Sequence, residues 1–315
     1  MAAFLVVLPA RDEEEEVGGA LRAVAQAAAR AGVPVTVVTV LHRCTDGTTG
    51  VAQEVASAHP DVSWVAVESN AATLGEARAE GVAAGAAAYP DLQPAQVWVA
   101  STDADSRVPE GWLAVQRELA DGGVDLVLGT VELRSGVGGC GWRHQIAEEH
   151  TTPHGANLGV RLSAYLAAGG FPATGTGEDA ALVHAVRDGE RPAPWASTDR
   201  VRVLTSDRRE GRVDGGLARF LRRLDDAVER YEVTEALGQR LREVILELVA
   251  ERGPGKTICP SEAAGAVDPG RRRELTHVAR AVACGLADEG LVVVTQKGVP
   301  VDGRTTPGPV RVGQA

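Results

Sequence analysis

Val97-Trp98-Val99-Ala100-Ser101-Thr102-Asp103-Ala104-Asp105 is the stretch on which the reading of this chain turns. Its apolar part, Val97 to Ala100, has the character of a buried strand. It ends in two carboxylates one residue apart. In an open α/β sheet, ligands bind just beyond the carboxyl ends of the strands. Two acidic side chains at that edge suit a hard divalent cation, because Mg2+ and Mn2+ prefer oxygen donors and keep positions free for substrate phosphates. The same residues also suit a polar turn that caps a helix starting near Pro109. An isolated Asp-x-Asp does not decide between the two, so the decision falls to the flanking chain.

Upstream, strand-like and helix-like segments alternate in steps of about 30 residues, the pattern of parallel βαβ units. Ala3 to Leu8 is a strand bounded by Pro9, and Ala10-Arg11-Asp12-Glu13-Glu14-Glu15-Glu16 leads into an amphipathic helix with Val17, Leu21, Val24 and Ala28 on one face. Acidic residues in a first turn suit the helix dipole, which accounts for the glutamates and leaves Arg11 and Asp12 over. A second strand, Val35 to Leu41, runs into His42-Arg43-Cys44-Thr45-Asp46-Gly47-Thr48. A third, Val62 to Val67, ends at Glu68-Ser69-Asn70 before a helix from Thr73 to Ala88. Each unit carries its polar residues after the strand.

Downstream, a helix is expected over Pro109 to Leu119, and strand-like runs over Val124 to Leu128 and Val131 to Leu133. A glycine-rich loop follows at Gly136 to Gly141, then a short helix over Trp142 to His150. His154-Gly155-Ala156-Asn157-Leu158-Gly159-Val160-Arg161 is a short strand with a polar entry. Gly175-Thr176-Gly177 opens a helix at Glu178-Asp179, and Val201 to Thr205 closes the domain ahead of a basic loop with Arg208, Arg209 and Arg212. Leu217 to Val249 is helical in pattern.

The chain has 315 residues and a net charge of −11. That charge argues against wholesale binding to nucleic acid or anionic membrane. Residues 236–315 hold 11 basic and 9 acidic side chains, so the acidity belongs to the first 235. Cys44, Cys140, Cys259 and Cys284 form no Cys-x-x-Cys pair. The expectation is reduced thiols in a cytoplasmic protein. No apolar run approaches the ~18 residues of a membrane span, so no integral span is expected.

Taken in order, Pro9-Ala10-Arg11-Asp12-Glu13, Cys44-Thr45-Asp46-Gly47-Thr48, Asn70 with Gly75, Ala77, Arg78 and Gly81, Asp103-Ala104-Asp105, Gly155-Ala156-Asn157 and Gly177-Glu178-Asp179 resemble family 2 glycosyltransferases. The resemblance spans residues 3 to 215. It implies an α/β GT-A fold, a mostly parallel sheet with helices on both faces, and transfer of a sugar from a nucleotide-diphosphate donor to a small-molecule or carrier-bound acceptor. By that resemblance Asp105, with Asp103 directly or through water, would hold Mn2+ or Mg2+ as a Lewis acid for the leaving diphosphate. Asp12 and Asp46 would bond the nucleobase, with Pro9, Ala10, Arg11 and Glu13 beside them. Asn70, Arg78, Asp103, Ala104 and Asn157 would line the nucleotide-sugar site. Asp179 would be the general base on the acceptor hydroxyl, with Glu178 orienting acceptor or sugar and the transfer inverting. Arg208, Arg209 and Arg212 would grip the pyrophosphate or form a solvated loop. His144, His150 and His154 are loop histidines, of which His154 is the nearest candidate for the sugar site.

The chain lacks the Gln-x-x-Arg-Trp signature of processive polysaccharide synthases, so a single hexosyl transfer is expected. Gly253-Pro254-Gly255-Lys256-Thr257 is not a P-loop, since position 250 is Ala. The tail resembles a small bacterial domain of unknown function, and its outline of three helices and a two-stranded hairpin (Leu291 to Gln296 with Val310 to Val312) is that of a winged helix. The expected domains are therefore residues 1–215, a helical linker 216–237 and a winged-helix-like α+β domain 238–315. Nucleic acid would be bound only through that last domain. Two other readings remain: a nucleotidyltransferase on the same fold, and a DNA-binding regulator that senses a nucleotide sugar.

Overall fold

All eight residues of the first strand, β1 (Ala3–Ala10), are buried. Side chains of a strand alternate between faces, so Phe4, Val6 and Leu8 enter one apolar layer while Leu5 and Val7 enter the other. A strand buried on both sides reads as a continuous apolar run, which is how a parallel sheet covered by two helix layers declares itself. The computed structural model describes residues 1–134, 153–206, 208 and 235–315. The described residues form two compact units. Of these, one holds 1–132 with 153–206, and the other holds 133–134, 208 and 235–315.

In the first unit β1 is flanked by β2 (Val35–His42) and β4 (Val97–Ser101), both parallel to it, and β2 by β3 (Ser63–Ser69), also parallel. Beyond β4 the sheet turns antiparallel. There β6 (Leu158–Arg161) pairs with both β4 and β5 (Leu126–Leu133), and β7 (Trp195–Thr205) lies at the edge. The strand order β3-β2-β1-β4-β6-β5-β7 reverses direction between β1 and β4. That reversal opens a crevice at their carboxyl ends, where an open α/β sheet binds ligands. Helices α1 (Val17–Ala29), α2 (Thr48–Ala58) and α4 (Trp112–Asp121) cover one face. Helices α3 (Leu74–Ala86), α5 (Leu162–Ala167) and α6 (Glu178–Asp188) cover the other.

The alternating pattern anticipated this arrangement, with local differences. The two runs expected at 124–128 and 131–133 are one strand, β5. The strand expected at 201–205 begins six residues earlier, at Trp195. The loop expected at 136–141, the helix at 142–150 and the helical run 217–234 lie outside the described residues.

Polar groups tie the core together. The Trp98 indole donates to Gln116 Oε1 and the Trp112 indole to Asn157 Oδ1, each at 2.8 Å. Asn157 Nδ2 donates to the carbonyls of Thr130 and Val201, also at 2.8 Å. Asn157 thus joins α4, β5 and β7 from the chain just ahead of β6.

In the second unit, α7 (Glu235–Arg252), α8 (Pro260–Val267) and α9 (Arg272–Asp288) pack beside a sheet of order β10-β9-β11-β8. Its strands are β8 (Thr257–Ile258), β9 (Val292–Gln296), β10 (Val299–Pro300) and β11 (Arg311–Gln314). The expected hairpin partners, β9 and β11, do pair antiparallel. The sequence reading missed β8 and β10, since two-residue strands carry no periodicity. Thr257 starts a strand, so the Gly-Lys-Thr is not at a helix N-terminus. The segment before β11 is held by Arg280, which donates to the carbonyls of Gly303, Thr306 and Gly308, and by Arg304, which pairs with Asp288 and Asp302.

Asn157→Ala would leave the Trp112 indole and two backbone carbonyls buried without their partner. A loss of about 2–4 kcal/mol is expected, read as a lower urea midpoint with an unchanged m-value.

Candidate active site

The loops after β1 and β2 interlock before either could meet a ligand. Asp12 adopts a left-handed φ of 51°, and its Oδ1 accepts from the Thr45 amide (2.7 Å) and hydroxyl (3.1 Å). Asp46 Oδ1 accepts from the Thr48 amide at 3.0 Å and from its hydroxyl, while Oδ2 accepts from the Glu14 amide at 3.1 Å. Desolvation alone would raise the Asp46 carboxyl, but the Thr48 and Glu14 hydrogen bonds outweigh it and hold it below the usual range. Thr48 Oγ1 in turn accepts from the Glu13 amide, and Glu14 accepts from Gly47 N–H. Arg43, also left-handed at φ 53°, donates to the Asn70 carbonyl and so adds the loop after β3.

The other half of the crevice centres on Arg78. Side chains of β4 at 97 and 99 face the layer that contains α3, and Ser101 continues that alternation to meet Arg78. Helix α3 presses close to the sheet because Gly75, Gly81 and Gly85 replace bulk on its inner stripe. A Cβ at Gly81 would sit 2.6 Å from Val40 Cγ2. Arg78 is 1% exposed. Its Nη2 pairs with Asp103 Oδ1 at 2.5 Å and its Nε with Glu178 Oε1 at 3.2 Å. Its Nη1 donates to Ser101 Oγ and to the Gly155 carbonyl. Burial works against this cation, and Asp103, Glu178 and Asp179 more than compensate.

Gly177, left-handed at φ 76°, turns the chain into α6. Asp179 Oδ2 accepts from Gly155 N–H at 2.7 Å, and Oδ1 from Ala180 N–H at 2.8 Å. A carboxylate oxygen keeps a second lone pair, so these bonds aim the group without exhausting it. Glu178 is buried. Burial pushes its carboxyl up to about 7, the Asp179 charge adds to that, and Arg78 opposes it.

A family model described as "Glycosyltransferase like family 2" matches residues 2–166. The chain belongs to this family. A glycosyltransferase of this family is therefore what the first unit builds. A second model, a protein family of unknown function (DUF3253), matches residues 238–315. Among solved structures, the mannosyltransferase of Pyrobaculum calidifontis, in complex with GDP-Man and Mn2+, is similar. It is 17% identical with a TM-score of 0.50, over 91% of this chain and 75% of that one. S. aureus TarS 1–349 in complex with UDP-GlcNAc is 17% identical with a TM-score of 0.51, over 90% and 88%. These likenesses show the GT-A fold. No curated protein sequence matches the chain. No helix among the described residues is long and apolar enough to cross a membrane.

Against the family expectation, the residues separate into groups. Arg11, Asp12, Asp46 and Asn70 do stand on adjoining strand ends and are partly or fully exposed, whereas Pro9, Ala10 and Glu13 are buried. Asp103, Asp105 and Asp179 are partly exposed, and Ala104 is buried. Arg78 is enclosed and spent on protein partners, and Asn157 lies in the core. Both were expected to line the donor site, and both side chains are buried among protein partners. Arg208 falls with the second unit, and Arg209, Arg212, His144 and His150 lie outside the described residues. His154 is partly exposed, and its carbonyl accepts from Asn157 N–H. The sequence reading missed Ser101, as well as His42, a buried ring bonded to the Ala71 carbonyl. The strand period marked Ser101; nothing in the pattern marked His42.

Asp103 and Asp105 offer the hard oxygen donors that Mg2+ and Mn2+ prefer. No group of three or more His, Cys, Asp or Glu capable of holding a metal occurs among the described residues. An ion that takes most of its ligands from phosphate and water needs only one or two carboxylates, so the pair fits such an ion.

The Glu178 carboxyl is raised from its ordinary 4.5 to about 7. Between those values the folded protein holds a proton that the unfolded chain has released, so stability falls as pH rises through the window. Glu178→Gln cannot ionise. Its unfolding free energy is expected to drop less than that of wild type between pH 4.5 and pH 7, by on the order of 2 kcal/mol, measured by urea titration across the range.

Proposed function

We propose that the first unit transfers one sugar from a nucleotide-diphosphate donor to an acceptor hydroxyl, with inversion at the anomeric carbon and Asp179 as general base. The observation that carries this reading is the pairing, through Arg78 and Gly155, of the Asp103 strand end with the Asp179 helix start. The acceptor oxygen forms the new bond to the anomeric carbon as its proton passes to an Asp179 oxygen. The bond from that carbon to the phosphate oxygen breaks, and the nucleoside diphosphate leaves. A divalent ion on Asp105 and Asp103, when bound, would neutralise the negative charge growing on the diphosphate. The N–H groups of Gly155 and Ala180 keep Asp179 aimed at the incoming hydroxyl.

On the donor side, Asp12 and Asp46 bond the base and Arg11 stands at the rim. This fits the cross-tied loops, whose carboxylates are already oriented. The acceptor is a small molecule or a carrier-bound sugar, and the cytoplasm suits the free thiols of Cys44, Cys259 and Cys284. The second unit is a winged-helix-type module that docks protein or nucleic acid through its basic residues 271–273. A gel shift of the full chain on duplex DNA separates the two, since nucleic-acid binding must weaken with salt.

The main test is turnover of UDP- and GDP-hexoses with Mn2+ and with EDTA. We expect Mn2+-dependent release of the diphosphate from at least one donor. A chain that turns over none, with or without Mn2+, is not this enzyme. Asp179→Asn is expected to lower kcat by about 100-fold or more, with the Kd for UDP or GDP unchanged. Asp105→Asn is expected to abolish the Mn2+ response.

A further inference from the structure

We infer that Arg78 is a positioning residue that sets where Asp103 stands relative to Asp179, and that it does so without touching donor or acceptor. The inference rests on the reading of Asp179 as base and explains what holds that base in place.

Three observations carry it. First, the side chain is enclosed, at 2% exposure, so no substrate group reaches it. Second, its polar contacts come from three segments other than its own helix. Asp103 and Ser101 lie at the end of β4, Gly155 precedes β6, Glu178 opens α6, and Arg78 itself belongs to α3. Phe171 adds a ring 5.8 Å from the guanidinium carbon. Third, the Gly155 residue is used on both sides. Its carbonyl accepts from Arg78 and its N–H donates to Asp179 Oδ2. A continuous chain of bonds therefore runs from Asp103 through Arg78 and Gly155 to Asp179. Gly155 is also the residue that leaves room for this contact, since a Cβ there would come 2.9 Å from Arg78 Nη2.

A planar guanidinium with five donors fixes several bond directions at once, which an ammonium cannot do. Arg78→Lys keeps the charge and loses the fork, and Glu178→Gln keeps the shape and loses one ion pair. In amide hydrogen exchange at pH 8, where Glu178 is ionised, both variants are expected to open residues 153–158 and 174–180 by about tenfold, with β1 to β3 still protected. Where Arg78→Lys loosens the whole unit, Glu178→Gln carries the same test. Unchanged exchange in those two segments would overturn the inference, whatever the activity.

The kinetic arm uses whichever UDP- or GDP-hexose the wild type turns over. Arg78→Lys is expected to lower kcat about 100-fold. It should add no more than about threefold in the Asp179→Asn background, because residues acting as a unit are not additive. Fully additive losses, or a loss confined to nucleotide Kd, would overturn the coupling. A wild type with no turnover but with the exchange response intact would remove Asp179 as base and leave the brace standing.

Discussion

A guanidinium buried at the carboxyl end of β4 is the constraint on which the candidate site depends. An ion taken out of water costs several kcal/mol unless partners replace its hydration. Arg78 finds them in two carboxylates, a hydroxyl and a carbonyl from three other segments. The fold therefore cannot bury α3 against the sheet unless the end of β4, the entry to β6 and the start of α6 arrive together. These are the segments that carry Asp103 and Asp179. The interaction that makes the helix layer compatible with the sheet also assembles the acidic side of the crevice.

The loops after β1 and β2 are held by different physics. Asp12 and Arg43 both occupy the left-handed region, which costs a non-glycine residue roughly 1–2 kcal/mol. Local hydrogen bonds offset that cost, with Asp12 bonding Thr45 and Arg43 bonding the Asn70 carbonyl. Asp46, Thr48, Glu13 and Glu14 complete a closed ring of bonds between the two loops. Loops held this way need little reorganisation when a ligand arrives, which is the advantage of a pre-formed site.

Much of this was legible in advance. The apolar runs of β1 to β4 and their 30-residue spacing identified a parallel sheet covered on both faces, because backbone period and two-sided burial are written directly in side-chain type. The glutamates after β1 were legible only in part. Glu13 and Glu14 do not form a first helical turn, since α1 begins at Val17, and instead their amides and one carboxylate reach across to Thr48, Asp46 and Gly47. Spacing along one segment carries no information about such a contact. The partners of Arg78 and Asn157 were hidden for the same reason. A polar residue in a ligand-edge motif looks like a ligand contact, and burial among partners more than 20 residues away is invisible in sequence.

By itself the sequence determined the order of strands and helices, the acidic strand ends and the family. These follow from local period, from turn chemistry and from motifs in fixed order. Only the tertiary structure decided which polar groups face the crevice and which hold it up. That division depends on long-range compensation of charge. Asp103 and Arg78, twenty-five positions apart, become one unit only when α3 is pressed onto β4 and water is excluded from between them.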